Sequence, residues 1–524
     1  MPPKMTATPS PRILRLSVWG GLTCLFCLAI ILMGMRGTEW QWTYPLDDTY
    51  IHLSMARTIA SAGVWGVQAS EPAFCSSSPL WTILLSVFFK LFAYCKSLPG
   101  ILSILFAAGT LAVFADMLRM ECRGLRIACL VTTIIALPIA VIGTLGMEHS
   151  LHVFLTILLC MALHRFLKSE NPSRATYMQI SIFGLLATAV RTESLFLIMP
   201  MVLVLLQKRR WRATILLVAA SVVPLVAYGV YALVNGGHFL PNSLLLKGSF
   251  HTVSSLLWTV LRLPFGIHAI NLHLYLMAML MFSIWAFCPT EQRKLAFCVF
   301  LAIGEQLVFV QYSNFYRYDA FLIASAAYVV FLDLSPFCPF PWQKKSWRHI
   351  ILSTLLLLTI SWLTLRGAWA SNRAVQAPAN IYGQQVQLAR LFAGLPNEAR
   401  GTIAINDLGY LSLHANAPII DLWGLGTQEI ADMKVLNEFN ARSLMAVLAR
   451  RNVKFIAVFE EWIPRSMLPT TAIQVGKLSI KDNHVCLSPD VWLYATSVSA
   501  AEALRRRMHE FKSQVPNQTT LTTF

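Results

Sequence analysis

Long apolar runs recur along the first 366 residues of the chain, and short clusters of basic residues separate them. A helix that crosses a bilayer needs about 20 predominantly apolar residues, and several of the runs are a few residues shorter. The first run follows Lys4, Arg12 and Arg15 and lacks a small-residue cleavage site, so we interpret it as an uncleaved span. The pattern predicts eleven transmembrane helices: Leu16–Met35, Ile101–Leu118, Ile127–Leu145, Leu151–Leu167, Tyr177–Val190, Leu195–Leu206, Ala213–Val234, Leu272–Phe287, Leu295–Val310, Ala320–Leu332 and Ile350–Leu365.

One further apolar segment, Pro79–Cys95, is interpreted as a helix that lies in the membrane interface and does not cross the bilayer. Counting it as a span would place the basic cluster Arg119, Arg123 and Arg126 on the outer side. If it belongs to a first external loop over residues 36–98, the inner segments, together with Arg165 near the inner end of its span, carry 18 Lys and Arg residues and the outer segments before the tail carry eight. This asymmetry matches the positive-inside tendency. An odd number of spans then sends the C-terminal tail outside.

The pattern changes from about Gly367 onward. Short strand-like runs ("GTIAIND", "APIIDLWGL", "VKFIAVFEE", "VWLYATS") are mixed with helical ones ("YGQQVQLARLFAGL", "ARSLMAVLARR", "SAAEALRRRMHEF"). Such a mixture predicts a small α/β domain, and about 155 residues can form their own core. The chain is therefore predicted to be a polytopic α-helical membrane domain, residues 1–366, followed by an extracytoplasmic α/β domain, residues 367–524.

Composition agrees with a multi-pass membrane protein, since 56% of the residues are hydrophobic and only 13% are charged. The net charge of +17 does not predict nucleic-acid binding, because basic loops retained on the cytoplasmic side and anionic lipid head groups explain it. Most of the eleven cysteines lie inside apolar runs, and their spacing predicts no metal site.

The unusual polar motifs fall on the predicted outer face: "DDTYIH", "EPAFCSSSPLW", "GMEHS", "VRTES", "HFLPNSLLLKGS" and "NFYRYD". The first of them contains two adjacent carboxylates, Asp47 and Asp48, after Pro45 and before a helical pattern that Gly63 could end. One aspartate suffices to cap that helix. The second would then be left as an anionic base at the membrane edge, and capping and catalysis both remain open for the pair.

Three external cations, Lys247, Arg191 and Arg317, are candidates for binding a phosphate, although such residues commonly snorkel to lipid head groups. The remaining polar residues of these motifs are candidate substrate ligands, with helix capping and surface ion pairs as the alternatives. They are Tyr50, His52, Arg57, Glu71, Glu148, His149, Glu193 and Asn242.

The run "DDTYIHLSMARTIASAGVWGVQASEPAFCSSSPLW" resembles the first external loop of the GT-C membrane glycosyltransferases. The likeness is greatest to bacterial members such as the mycobacterial terminal arabinofuranosyltransferase, and the protein mannosyltransferases and the lipid A aminoarabinose transferase are more distant. "GMEHS", "VRTES", "LPNSLLLK" and "DLGYLSLHANAPIIDLWGL" also look like this group, in the same order.

The resemblance implies a GT-C-like fold and transfer of a sugar from a polyprenyl-phosphate donor to a cell-envelope glycan or lipid acceptor. It places the reaction at the outer face of a bacterial inner membrane, with Asp47 as the base. Many relatives carry Asp-Glu where this sequence has Asp-Asp. The choice between Asp47 and Asp48, and the participation of a divalent cation, therefore stay open.

Two other classes of protein are weighed against the transferase. A transporter or flippase for an envelope lipid would place polar residues near the bilayer midplane, where Glu305 is the main example. A non-catalytic envelope anchoring protein would explain the external domain but not the paired aspartates. A transferase accounts for both the external domain and the paired aspartates.

Overall fold

The structure is a computed structural model, and it describes residues 11–118, 123–247, 271–288, 291–310, 314–337 and 346–524. Several basic residues that entered the charge count lie outside the described residues; among them are Lys4, Arg119, Arg262, Lys344 and Lys345.

A helix lies at each of the eleven predicted apolar runs. The run Ile127–Leu145 forms two helices in place of one, broken near Pro138, because proline has no backbone N–H to donate to a helix. The helices are Pro11–Met35, Leu98–Met117, Arg123–Ala136, Ile139–Thr144, His149–Lys168, Arg174–Val190, Ser194–Gln207, Trp211–Val234, Leu272–Phe287, Glu291–Phe309, Ala320–Leu332 and Trp347–Ile381.

Length and composition identify the helices that can cross a membrane. Among the described residues, five helical segments are long and apolar enough: Val18–Thr38, Leu98–Met117, His149–Lys168, Trp211–Val234 and Trp347–Ala393. Four shorter apolar helices accompany them, over Pro79–Phe92, Ser194–Gln207, Leu272–Phe287 and Ala320–Leu332. These helices are those of a multi-pass membrane protein, and the number of eleven spans stays a prediction.

The segment interpreted as interfacial forms a helix over Pro79–Phe92, roughly 21 Å long. One face is buried through Trp81, Leu85 and Phe89. The other face exposes apolar side chains one turn apart, Ile83, Val87 and Leu91. The length is short of the ~30 Å hydrocarbon core of a bilayer.

We expect this helix not to cross the membrane, so that the loop at Asn171 is cytoplasmic and the helix at Glu502 is external. In a background without native cysteines, Asn171→Cys should resist an impermeant thiol reagent in intact spheroplasts, and Glu502→Cys should react. The reverse pattern would mean that the helix Pro79–Phe92 is a span, since one additional crossing inverts everything after it.

The C-terminal segment contains six strands: β1 Thr402–Ile405, β2 Ile419–Asp421, β3 Val453–Val458, β4 Ile473–Ile480, β5 Asp490–Ala495 and β6 Thr519–Thr523. They form one sheet in the order β2-β1-β3-β5-β4-β6. β1 pairs in parallel with β2 and β3, and the other pairs are antiparallel. The four predicted strand-like runs all form strands, whereas β4 and β6 were not predicted.

Contacts divide the chain into two compact units. The first contains Met1–Ile30, Gly100–Leu225 and Ser249–Asn372, and the second contains Ile31–Pro99, Val226–Gly248 and Arg373–Phe524. The second unit thus combines the first-loop segment with the sheet. The predicted domain boundary between residues 366 and 367 stays a prediction.

The sheet of the second unit is covered on both faces. Ile403 and Ile405 of β1 pack into one apolar cluster, and Ala404 between them packs into another, as the alternation of side chains along a strand requires. Four helices flank the sheet, over Gln387–Ala393, Gln428–Val435, Ala441–Arg450 and Val498–Phe511. The parallel strands β1 and β3 therefore lie between two packed apolar clusters, one on each face of the sheet.

Candidate functional site

The two first-loop aspartates stand at the start of a helix, Asp48–Ala62. Asp48 lies in the first turn, where a negative charge is favoured by the helix dipole. Gly63 ends the helix in the left-handed region, with φ of 71° and its N–H bonded to the Ile59 carbonyl. Asp47 occupies the N-cap position, but its side chain makes no capping hydrogen bond. The Asp47 carboxylate is thus engaged elsewhere.

Its partners come from the segment that follows β1. Asp47 Oδ2 accepts the backbone N–H of Gly409 at 2.5 Å, and Oδ1 accepts that of Tyr410 at 2.8 Å. The side chain of Asp407 lies close to this carboxylate and lowers its pKa. Asp47 is only 7% exposed, so these groups hold it in one orientation.

Burial raises the pKa of Asp47 to about 6, and the N–H groups of Tyr410 and Gly409 limit the rise. A carboxylate that titrates near neutral pH is suited to accept a proton and release it again. Asp48, the next residue and the first of the helix, is half-buried.

Aromatic rings surround this carboxylate. The Tyr50 hydroxyl accepts the backbone N–H of Tyr44 at 2.9 Å, and its ring packs edge-on against that of Tyr410 at 4.8 Å. His52 is buried, with Nδ1 at 3.2 Å from Thr82 Oγ1. Tyr50 and His52 therefore pack the first loop together beside Asp47.

Two of the other predicted substrate residues of the second unit, Glu71 and Asn242, have partners within it. Arg57 is half-buried on the same helix as Tyr50. Glu71 forms an ion pair with Arg451 at 2.9 Å. The buried Asn242 side chain donates to the carbonyls of Gly424 and Leu425, both at 3.3 Å.

A buried charge cluster in the first unit contains four of the predicted site residues. Arg191 Nη1 donates to Glu148 Oε1 at 2.6 Å, and Nε and Nη2 donate to the two oxygens of Glu193. His149 Nε2 lies 3.3 Å from Arg191 Nη1, and the His149 ring stacks on Tyr318. Arg191 also lies over the Tyr318 ring, 4.8 Å from its centroid. The structure thus brings Glu148, His149, Arg191 and Glu193 together.

Charge neutralisation stabilises this cluster. Burial alone lowers the pKa of Arg191, but the carboxylates of Glu193 and Glu148 raise it above its ordinary value. Burial raises the pKa of Glu193, but the Arg191 charge and hydrogen bonds lower it below its usual range. Arg191 is therefore a cation that is paired with two protein carboxylates.

The two remaining predicted phosphate ligands are Arg317 and Lys247. Arg317 is buried, with Nη1 3.7 Å from Met147 Sδ and its guanidinium 5.2 Å from the centroid of the Tyr318 ring. Lys247 is the last residue of the helix Asn242–Lys247, and its side chain lies outside the described part of the structure.

Sequence reasoning missed two sets of residues. One is the turn of Asp407, Gly409 and Tyr410, which belongs to a motif noted for its resemblance but carried no assigned role. The other is a buried group in the first unit, where Asp319 accepts from His273 Nε2 and Gln306 Nε2, both at 3.0 Å. A single histidine or glutamine inside an apolar run gives no signal by itself.

No group of three or more His, Cys, Asp or Glu side chains that could hold a metal ion occurs within the described ranges.

The helices and the C-terminal sheet define the class of the fold. It is the fold of the GT-C membrane glycosyltransferases, as the resemblance implied. The structure is similar to ArnT from Cupriavidus metallidurans bound to undecaprenyl phosphate, with a TM-score of 0.51, 12% identity, and coverage of 92% of this chain and 99% of that one. For the apo state of that ArnT the TM-score is 0.51, the identity 13%, and the coverage 92% and 98%.

Two other comparisons, with a solved structure and with a family model, give weaker or shorter matches. The mycobacterial arabinofuranosyltransferase AftD matches with a TM-score of 0.45 and 14% identity, over 92% of this chain and 40% of that one. Residues 379–511 match a family model described as a domain of unknown function, DUF8728. No curated protein matches the chain by sequence.

Proposed function

We propose that this protein is a membrane glycosyltransferase that moves a sugar from a polyprenyl-phosphate donor to a glycan or lipid acceptor of the cell envelope. Two observations support the proposal: the GT-C fold extends over 92% of the chain, and the first-loop carboxylate of Asp47 is held by fixed donors. The similar ArnT structure contains undecaprenyl phosphate, which is the class of carrier lipid that the proposal requires.

The proposed reaction needs one proton transfer. The acceptor hydroxyl oxygen bonds to the anomeric carbon while the bond from that carbon to the phosphate oxygen breaks. Polyprenyl phosphate leaves with the electron pair of that bond, and the hydroxyl proton passes to the carboxylate of Asp47. The Asp47 carboxylate carries the proposal, because with a pKa of about 6 it is ionised at neutral pH and remains basic enough to accept the proton.

The leaving phosphate requires a cation. Lys247 and Arg317 are the proposed ligands, since Arg191 already binds Glu148 and Glu193. Arg191 is proposed to hold Glu148, His149 and Glu193 in place. Tyr50, His52, Arg57, Glu71 and Asn242 are proposed to shape the substrate site of the first loop.

The proposed location is the extracytoplasmic face of a bacterial inner membrane. The excess of basic residues in the predicted inner segments supports this orientation, as does the odd number of predicted spans. The paired aspartates and the C-terminal α/β domain would then lie on the side where lipid-linked sugars and envelope acceptors meet.

The test is sugar transfer by the purified full chain in proteoliposomes, given a radiolabelled polyprenyl-phosphate sugar and envelope glycan or lipid acceptors. We expect labelled acceptor to accumulate, with a rate that falls as the pH is lowered through about 6, because protonation of Asp47 removes the base. Movement of the labelled lipid between leaflets without any transfer would instead identify a flippase.

A further inference from the structure

The residues that contact Asp47 connect a parallel strand to a short helix. β1 ends at Ile405 and the helix Gly409–His414 begins four residues later; we call the segment Asp407–Tyr410, which includes the first two residues of that helix, the turn. The turn is itself held in place: Asp407 Oδ2 accepts from Gln385 Nε2 at 2.6 Å, and Asn406 Oδ1 accepts the N–H of Phe459 from the end of β3. The carboxyl ends of parallel strands are where α/β folds commonly place functional groups.

Close approach between this turn and Asp47 depends on Gly409. A Cβ atom at position 409 would collide with the backbone oxygen and the carboxylate of Asp47. The two N–H bonds at 2.5 and 2.8 Å form only because this position carries no side chain.

Several titratable groups lie close to Asp47. They are Asp48 and Tyr50 on its own helix, Asp407 and Tyr410 from the turn, and Cys486 from the segment between β4 and β5. The two backbone N–H groups of the turn stabilise the charge of the buried carboxylate, because each donates to one of its oxygens.

We propose that the turn Asp407–Tyr410 is part of the catalytic machinery: Gly409 and Tyr410 position the Asp47 carboxylate through their backbone N–H groups. The C-terminal α/β domain then completes the site of the first loop. Gly409 and Tyr410 are positioning residues, because they act through Asp47. This inference rests on the proposed transferase function.

Two variants of the full chain test the positioning role. Gly409→Ala should displace the carboxylate and lower kcat for transfer about a hundredfold, with KM for the donor nearly unchanged, because misplacing a catalytic group by about 1 Å costs about that much. The matched control is Gly401→Ala, where the nearest atoms to the new Cβ belong to the flexible Lys454 side chain. Thermal unfolding of each variant gives its fraction of folded protein, so that each rate can be expressed per folded molecule.

The second variant addresses the side chain of Asp407. Because this side chain lowers the pKa of Asp47, Asp407→Ala should move the acid limb of the rate profile upward by about one pH unit. Asp407→Asn should restore the limb, because an amide N–H can donate to the Asp47 carboxylate. Asp482→Asn, in an exposed turn with φ of 50°, is the control.

Infrared spectroscopy follows the protonation of Asp47 without any transfer assay. Below about pH 6 the wild-type protein should show a protonated carboxyl band that is lost in Asp47→Asn and shifted in Gly409→Ala. This band without transfer would remove the proposed function and leave the positioning of Asp47 intact. Wild-type kcat and an unshifted band in folded Gly409→Ala would overturn the positioning role.

Discussion

Replacing Asp47 with asparagine is expected to lower the rate of sugar transfer by about a hundredfold to ten-thousandfold, the usual cost of removing a general base. Asparagine has the size of aspartate but only one acceptor oxygen, whereas the structure offers two N–H donors, from Gly409 and Tyr410. One donor would face the amide NH₂, which costs about 1–3 kcal/mol of stability, and loss of the buried charge offsets part of that cost. The measurement is transfer from a polyprenyl-phosphate sugar, expressed per folded molecule.

The matched variant is Asp48→Asn, on the next residue of the chain. Asp48 lies in the first helical turn, so its replacement should remove a favourable dipole interaction of about 0.3–1 kcal/mol and leave transfer near the wild-type rate. Loss of transfer in Asp48→Asn with retention in Asp47→Asn would reverse the two roles. Full activity in the double variant would mean that neither carboxylate is the base.

Replacing Arg191 with methionine is expected to destabilise the protein by about 3–5 kcal/mol, the usual result of removing one partner from a buried ion pair. Arg191 is 5% exposed and Glu148 is fully buried, so both carboxylates that lose the guanidinium remain shielded from water. Thermal unfolding in detergent should show a large fall in the midpoint temperature. Arg174→Met, at an exposed helix start, is the control and should change little.

A triple variant separates structure from binding at this cluster. Arg191→Met combined with Glu148→Gln and Glu193→Gln removes the buried charges together and should regain much of the lost stability. If Arg191 bound the donor phosphate, Arg191→Met would instead weaken donor binding while the midpoint temperature stayed at the wild-type value. That result would contradict the structural role assigned to it.

Helix positions could be read from the sequence because apolar burial in lipid imposes a strong local pattern. Each run of about 12 to 22 residues contains its own signal, and Leu272–Phe287 and Ala320–Leu332 have the same bounds in the prediction and in the structure. The break near Pro138 was missed, although proline is a local signal. The strands β4 and β6 were missed as well. β6 is a threonine-rich edge strand with little apolar pattern, so the sequence gives it only a weak signal.

The sequence by itself determined the apolar helices, the change to an α/β pattern near Gly367, and the carboxylate at position 47 as a candidate base. Only the tertiary structure decided what those groups contact. Gly409 and Tyr410 lie more than 360 residues from Asp47 along the chain, and Arg191 lies 43 residues from Glu148. No local pattern specifies such pairs, because a hydrogen bond or ion pair depends on atoms that meet only when distant segments pack together, and burial at that meeting point sets the pKa of Asp47 and balances the charge of Arg191.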